Sequence, residues 1–130
     1  MVDVVRSPQQ IADGVGVGML ARDRATITMT VRDDMLNGLD TCHGGLIATL
    51  ADSAFAFACN SHGAPTVAAG FTIDFVAPGR AGDVLTARCA EVAKAGRNGV
   101  YDVEVTNQRG ERIAVFRGRS HTLRNGATGP

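Results

Sequence analysis

Residues 42–59 read CHGGLIATLADSAFAFAC, and this stretch decides the fold. Alanine and leucine, both strong helix formers, dominate it from Leu46 onwards, so it predicts the one long helix of the chain. It is apolar on nearly every side, which is typical of a helix enclosed by other structure rather than one lying on a surface. Residues 60–65 end the helix, because Gly63 can adopt the left-handed conformation that follows a last helical turn.

The sequence on either side of this helix has the pattern of β-strands. Before the helix, residues 15–22 and 25–32 alternate apolar and polar side chains, and the short link between them predicts a hairpin. After the helix, turns rich in Gly, Asn and Pro separate four strand-like segments: residues 66–76, 84–95, 100–106 and 112–123. Two strands, one helix and four strands predict an α+β fold, with an antiparallel sheet curled around a single helix.

The whole chain, residues 1–130, is expected to form one domain, because 130 residues and 13.5 kDa are the ordinary size of a single domain. Hydrophobic residues make up 45% of the chain and charged residues 20%, a balance that can fill a core. Near the ends, residues 7–12 predict a short helix and residues 125–130 a frayed tail.

Composition and charge exclude several classes of partner. Thirteen basic residues balance thirteen acidic ones, so the chain has no electrostatic footprint for nucleic acid. The longest apolar stretch is too short for a bilayer and is interrupted by Asp52, so no membrane partner is expected. The first ten residues do not resemble a secretion signal, and the three widely spaced cysteines indicate reduced thiols. These features predict a cytoplasmic protein.

Asp52 is the most informative residue of the sequence, because an ionised carboxylate in an apolar helix loses several kcal/mol of solvation if it stays unpaired. One interpretation is structural, in which Asp52 meets a polar partner at a subunit or loop contact. The other interpretation is a catalytic carboxylate whose pKa is set by burial.

The second candidate feature is the start of the helix, His43-Gly44-Gly45. Unpaired backbone N–H groups and the positive end of the helix dipole favour negative charge there, and two glycines let a ligand approach the amides closely. A carbonyl oxygen that becomes an oxyanion during attack would be stabilised at this position. The alternative is a glycine-rich helix start without a ligand.

The spacing of these two features predicts a dimer. Asp52 follows Gly44 by eight residues, so roughly 12 Å of helical rise separates them, too far for both to act on one carbonyl. If they serve one reaction, they come from two copies of the helix related by a two-fold axis. The helix face that carries Gly45, Thr49, Asp52 and Ala56 is small, as a close contact between subunits requires.

Several short motifs together resemble the hotdog-fold acyl-CoA thioesterases, most closely the phenylacetate-degradation group called PaaI. They are Asn37, His43-Gly44-Gly45, Asp52 within Leu50–Ala56, Asp74–Gly79, Gly99–Asp102 and Phe116-Arg117-Gly118. The resemblance runs from about residue 10 to residue 123. It implies hydrolysis of an aryl-acetyl-CoA, such as phenylacetyl- or hydroxyphenylacetyl-CoA, to the free acid and coenzyme A. It also implies a homotetramer built from two dimers, and no cofactor besides the coenzyme A of the substrate.

The resemblance implies a role for each matched residue. Asp52 matches the catalytic carboxylate, which acts as a general base on water or as a nucleophile. Gly44 matches the residue whose N–H polarises the thioester carbonyl, and His43 and Asn37 match positions that shape the site or orient the water. In the family, the carboxylate of one subunit works with the other three residues of its partner.

Residues 68–70 depart from the family pattern, because relatives often have a hydroxyl there that helps to place the attacking water. Thr72 and Ser53 are candidate replacements.

Other residues are candidates for binding the substrate. The coenzyme A phosphates need cations, and the alternative for each basic residue is an ordinary surface charge. An aromatic side chain could line the acyl pocket, although core packing is the alternative. The candidates are Gly45 at the helix start, Phe71 for the acyl group, and Arg97 with Asn98, Arg117 and Arg119 for the phosphates.

Alternative functions rest on weaker patterns. Cys42 beside His43 could indicate a cysteine hydrolase, but neighbours at a helix start do not face each other. The three histidines match no metal-ligand spacing, so no metal is predicted, and Gly14, Gly16 and Gly18 lack the strand and helix of a dinucleotide site. A hydratase of the same fold is a further option. The main alternative is a hotdog module that binds acyl-CoA without catalysis, which would not need a costly buried Asp52.

Overall fold

The computed structural model describes residues 17–21 and 24–124. The predicted helix at residues 7–12, the predicted tail at residues 125–130, and Gly14 and Gly16 lie outside the described residues.

The described chain forms one antiparallel sheet and one long helix, which confirms the predicted α+β class. The strands lie in the order β1-β2-β4-β5-β6-β3, so β3 forms one edge of the sheet. A single 3-10 turn at Asp33–Met35, which the sequence pattern did not predict, connects β2 to the loop before the helix. The elements are β1 Val17–Ala21, β2 Arg24–Thr30, α1 Gly44–Asn60, β3 Thr66–Phe75, β4 Val84–Ala95, β5 Asn98–Thr106 and β6 Arg112–Thr122.

Helix α1 lies across one face of the sheet and contacts all six strands. This face, called here the inner face, carries the apolar alternate residues of the strands, and the helix buries Leu50, Ala54 and Phe55 against it. The Phe55 ring packs between Tyr101 and Phe116, with ring centroids 5.5 and 5.8 Å away. This packing fixes α1, and therefore Gly44 and Asp52, relative to the sheet.

The side of α1 that faces away from the sheet is partly open in the single chain. Gly45 is exposed, and Thr49, Asp52 and Ala56 are only partly buried. These four residues form the small face that the sequence predicted, and it is called here the open face of α1.

The edge strand β3 also has uncovered apolar side chains on the inner face. Phe71 is 42% exposed and Phe75 is 49% exposed. Strands that end a sheet with exposed apolar residues favour pairing with another chain.

In the described part of the chain, no helix is long and apolar enough to cross a membrane.

Candidate active site

The loop before α1 ends at a helix start where two backbone N–H groups have no acceptor among the described residues. Cys42 forms an isolated antiparallel bridge with Leu36, and the His43 N–H donates to the Met35 carbonyl at 2.9 Å. The carbonyl of His43 then accepts from Leu46 and Ile47, at 3.0 and 3.3 Å. Within the described residues, the Gly44 and Gly45 N–H groups have no acceptor. They are the donors that a developing oxyanion needs.

A cavity of about 450 Å³ lies beside these amides. A Cβ at Gly44 would lie 3.1 Å from Cζ of Phe75, tighter than an ordinary carbon contact, so the ring covers this position closely. Both polar and apolar residues line the cavity. Its lining residues are Asn37, Thr41, Cys42, Gly44, Ile47, Phe75, Val76, Ala77, Pro78 and Gly79.

Asn37 uses most of its carboxamide to organise the loop that ends at Thr41. Its Oδ1 accepts hydrogen bonds from the Leu39 and Thr41 N–H groups, at 2.9 and 3.2 Å. Its Nδ2 donates to Thr41 Oγ1 at 2.9 Å. These bonds identify the oxygen and nitrogen ends of the carboxamide, and they leave one Nδ2 hydrogen for a ligand.

Asp52 lies on the open face of α1, where burial raises the pKa of its carboxyl group above the ordinary aspartate value. Among the residues that the structure describes, none donates a hydrogen bond to this carboxylate. A half-buried carboxylate without a partner is destabilising for the fold and is more basic than usual.

The structure brings Asn37 and Gly44 together but leaves Asp52 apart from them. Asn37 and Gly44 line the same cavity, whereas Asp52 is not among its lining residues. The separation of roughly 12 Å along one continuous helix stands, because α1 runs without a break from Gly44 to Asn60. His43 is exposed and precedes the helix without capping it through its side chain.

Thr72 does not lie where a residue that places the attacking water was expected. It pairs with Arg117 in the β3–β6 register, and Phe71 and Ile73 on either side of it pair with Gly118 and Phe116 of the inner face. Thr72 therefore points to the outer face of the sheet, away from α1, and cannot reach Asp52 of its own chain. Ser53 lies on α1, but its hydroxyl is buried and donates to the Thr49 carbonyl at 2.7 Å.

The arginine residues that could bind a phosphate differ in whether a carboxylate already pairs with them. Arg117 forms a two-pronged ion pair with Asp102, at 2.6 and 2.8 Å. Arg119 has no carboxylate partner within residues 24–124, and its guanidinium occupies the place that a Cβ at Gly70 would take. Arg97 is exposed in the β4–β5 turn.

Two further candidates have partners within the chain. Oδ1 of Asn98 lies 3.0 Å from Nδ1 of His121. Phe71 stacks on Phe116 with ring centroids 4.8 Å apart, and it is not among the residues that line the cavity.

The wall of the cavity was not predicted from the sequence. Phe75 lies within the motif Asp74–Gly79 and covers Gly44, but no role was expected for it. Thr41, the partner of Asn37, was likewise not predicted to belong to the site. The alternation Phe71, Ile73, Phe75 was a usable signal, because it places Phe75 on the same face as the helix. Among the described residues, no group of His, Cys, Asp and Glu could hold a metal ion.

Comparison with known proteins identifies the family. A model described as the thioesterase superfamily matches residues 39–114, more than half of the chain. The chain belongs to the thioesterase superfamily. The match spans α1, including Asp52, together with the cavity wall at Phe75, so these elements are thioesterase elements. The chain is an enzyme of this class.

Individual relatives support this assignment. The acyl-coenzyme A thioesterase PaaI of Escherichia coli is 47% identical over 120 residues, which cover 91% of this chain and 86% of that protein. The solved E. coli PaaI structure, from the phenylacetic acid degradation operon, superposes with a TM-score of 0.84 at 46% identity, covering 87% and 83% of the two chains. A Streptococcus mutans protein solved bound to acetyl CoA has a TM-score of 0.81 at 27% identity, covering 84% and 88%. The predicted hotdog fold of the PaaI group is thus confirmed.

Proposed function

We propose that this thioesterase hydrolyses acyl-CoA, and that its acyl group is of the aryl-acetyl type, such as phenylacetyl or hydroxyphenylacetyl. The observation that carries the proposal is the free Gly44 amide beside a cavity walled by Phe75. The name of the E. coli relative and the acetyl CoA in the S. mutans structure support coenzyme A as the carrier. An aromatic and aliphatic wall favours an apolar acyl group with a ring.

The Gly44 N–H and the Asp52 carboxylate have different roles in the proposed reaction. The Gly44 N–H donates to the thioester carbonyl oxygen and stabilises the negative charge that develops there. With Asp52 as general base, the carboxylate takes a proton from water, the hydroxide adds to the carbonyl carbon, and the C–S bond breaks. With Asp52 as nucleophile, its oxygen attacks the carbonyl carbon, the C–S bond breaks to release the coenzyme A thiolate, and water then hydrolyses the resulting anhydride. Either route yields the free acid and the coenzyme A thiol, which receives the proton.

The proposed active site lies across a two-fold dimer, in which Asp52 of one protomer serves the Gly44 and Asn37 of its partner. Three observations support this arrangement: the distance along α1, the open face of α1, and the exposed inner face of the edge strand β3. A second copy would cover both uncovered surfaces at once. Pairing of two dimers into a tetramer, and a cytoplasmic location with its three free thiols, stay predictions.

Arg119 is the preferred candidate for a coenzyme A phosphate, with Arg97 as the second. Arg119 has no carboxylate partner among residues 24–124, whereas Asp102 already neutralises Arg117. A paired guanidinium has less charge to offer to a phosphate.

The first experiment measures thiol release from a panel of acyl-CoAs: phenylacetyl, hydroxyphenylacetyl, benzoyl, and short and medium aliphatic thioesters. We expect the aryl-acetyl thioesters to have the highest kcat/KM, and we expect Asp52→Asn and Asp52→Ala to lose turnover while the oligomer stays intact. Equal turnover of all acyl groups would contradict the proposed acyl specificity. Unchanged turnover in both variants would contradict the role of Asp52.

A mixing experiment tests the shared site. Asp52→Asn and Gly44→Val chains, each inactive alone, are denatured, mixed and refolded together. If the site is shared, each mixed dimer keeps one intact site, so random pairing restores about a quarter of the wild-type activity. If each site lies within one chain, the mixture stays inactive. Wild-type chains refolded alone provide the control for recovery.

A further inference from the structure

The loop at residues 37–41 contains a hydroxyl that the reaction scheme above does not use. Thr41 lines the cavity together with Asn37 and Gly44. Its Oγ1 lies 2.9 Å from Nδ2 and 3.2 Å from Oδ1 of Asn37, so it touches both ends of one carboxamide.

The oxygen end of Asn37 has no capacity left for a substrate. Two backbone N–H groups already donate to Oδ1, from Leu39 and from Thr41. Asn37 can therefore act on a ligand mainly as a donor, through the one Nδ2 hydrogen that no described residue accepts. Because an amide group is planar, the direction of this free hydrogen is fixed once the other hydrogen points at Thr41 Oγ1.

We propose that Thr41 is a positioning residue, whose hydroxyl aims the free Nδ2 hydrogen of Asn37 into the cavity beside the Gly44 amide. This inference rests on the proposed function, in which Asn37 and Gly44 act on the same thioester. The oxygen and nitrogen ends of the planar carboxamide turn together about its last torsion. The bond from Nδ2 to the hydroxyl therefore adds a restraint on this torsion to the two backbone bonds that Oδ1 accepts.

The fold of the loop does not depend on this hydroxyl. The Asn37 N–H donates to the Thr41 carbonyl at 2.8 Å, and the Asp40 N–H donates to the Asn37 carbonyl at 3.2 Å. These backbone bonds close the loop with any side chain at position 41. Replacement of Thr41 by valine, which has the same shape without the hydroxyl, therefore removes the positioning contact and keeps the loop.

The kinetic test compares Thr41→Val with Thr41→Ser, which retains the hydroxyl. We expect Thr41→Val to lower kcat by about 10- to 100-fold with little change in KM, as a slightly misplaced catalytic group does, and Thr41→Ser to stay within about threefold of wild type. In an Asn37→Ala background, the same valine substitution should change kcat by less than about twofold, because the group it positions is absent. An equal loss in both backgrounds, or no loss in wild type, would overturn the proposal.

A second readout does not depend on the substrate. In nitrogen-labelled protein, the Asn37 Nδ2 hydrogen that is bonded to Thr41 Oγ1 should exchange with water more slowly than the other Nδ2 hydrogen. Thr41→Val should shift the signal of the bonded hydrogen and speed its exchange, and Thr41→Ser should keep both close to wild type. If wild type fails to hydrolyse any acyl-CoA, the proposed function fails, while this measurement still decides the role of Thr41: unchanged signals in Thr41→Val would overturn it.

Discussion

Replacing Gly118 by alanine tests whether the packing under α1 sets the stability of the whole sheet and helix. Gly118 lies on β6, and a Cβ there would meet three carbons of the Phe55 ring at 2.8, 2.9 and 2.9 Å. Ordinary carbon contacts are roughly 3.5–4.0 Å, so the methyl group would overlap the ring by about 0.7 Å. Phe55 is 1% exposed and is held by two other rings, so it cannot turn aside.

This overlap should cost about 1–3 kcal/mol in the free energy of unfolding, as overpacked cores do. The lower entropy of an unfolded alanine offsets about 0.5–1 kcal/mol of that loss, so a net loss of roughly 0.5–2 kcal/mol remains. Phe55 is one helical turn from Asp52, so a shift of the ring also moves the carboxylate, and kcat should fall with stability.

Urea unfolding at fixed protein concentration measures this loss as a lower midpoint with an unchanged slope. Gly38→Ala is the matched control, because a Cβ at Gly38 has nothing within 4 Å. Gly118→Ala should unfold at a clearly lower urea concentration than Gly38→Ala. Equal midpoints in the two variants would refute the packing argument, since they would mean that the ring yields without cost.

Three further predictions concern charged groups. Burial raises the pKa of Asp52, so kcat/KM should fall as the pH drops through a value above 3.8. Asp52→Asn should unfold at a higher urea concentration than wild type at neutral pH, and the difference between the two midpoints should disappear in acid. Arg119→Ala should raise KM for a coenzyme A thioester but not for its N-acetylcysteamine analogue. Arg117→Ala should change neither KM by more than about twofold, because Arg117 already pairs with Asp102. Burial alone would raise the pKa of Glu91, but hydrogen bonds from Tyr101 and His62 lower it below the ordinary glutamate value. Wild type should therefore be more stable than Glu91→Gln above pH 4.5. In urea titrations this advantage should vanish as the pH falls below that value.

Local patterns in the sequence were enough to predict most of the fold. The strand at residues 84–95 has the predicted bounds, and the helix begins at the two glycines and ends next to the residues that were expected to stop it. These elements are set by apolar periodicity and by turn residues, which act over a few positions. The predicted small face of α1 was also found, because helical spacing alone determines which residues share a face.

Details of the site depend on contacts between distant strands, and these were not visible in the sequence. Arg117 was predicted to bind a phosphate, and the β5–β6 register that pairs it with Asp102 could not be read from the sequence. Thr72 and Phe71 were both assigned to the site, although neighbours on one strand point to opposite faces, so the sequence already excluded one of them. The proposed role of Thr41 depends on the five-residue loop 37–41, in which Asp40 adopts the left-handed region, at φ 59°.

The same uncovered surfaces support both the proposed chemistry and the proposed dimer of this chain. No described residue donates to the half-buried carboxylate of Asp52 on the open face of α1, and the edge strand β3 exposes Phe71 and Phe75. In a lone protomer the carboxylate is destabilising and the exposed rings favour aggregation. A second copy that covers both would bring the carboxylate to the free Gly44 amide of its partner, where its raised pKa is useful. The features that make one protomer incomplete are therefore the features that a shared thioesterase site requires.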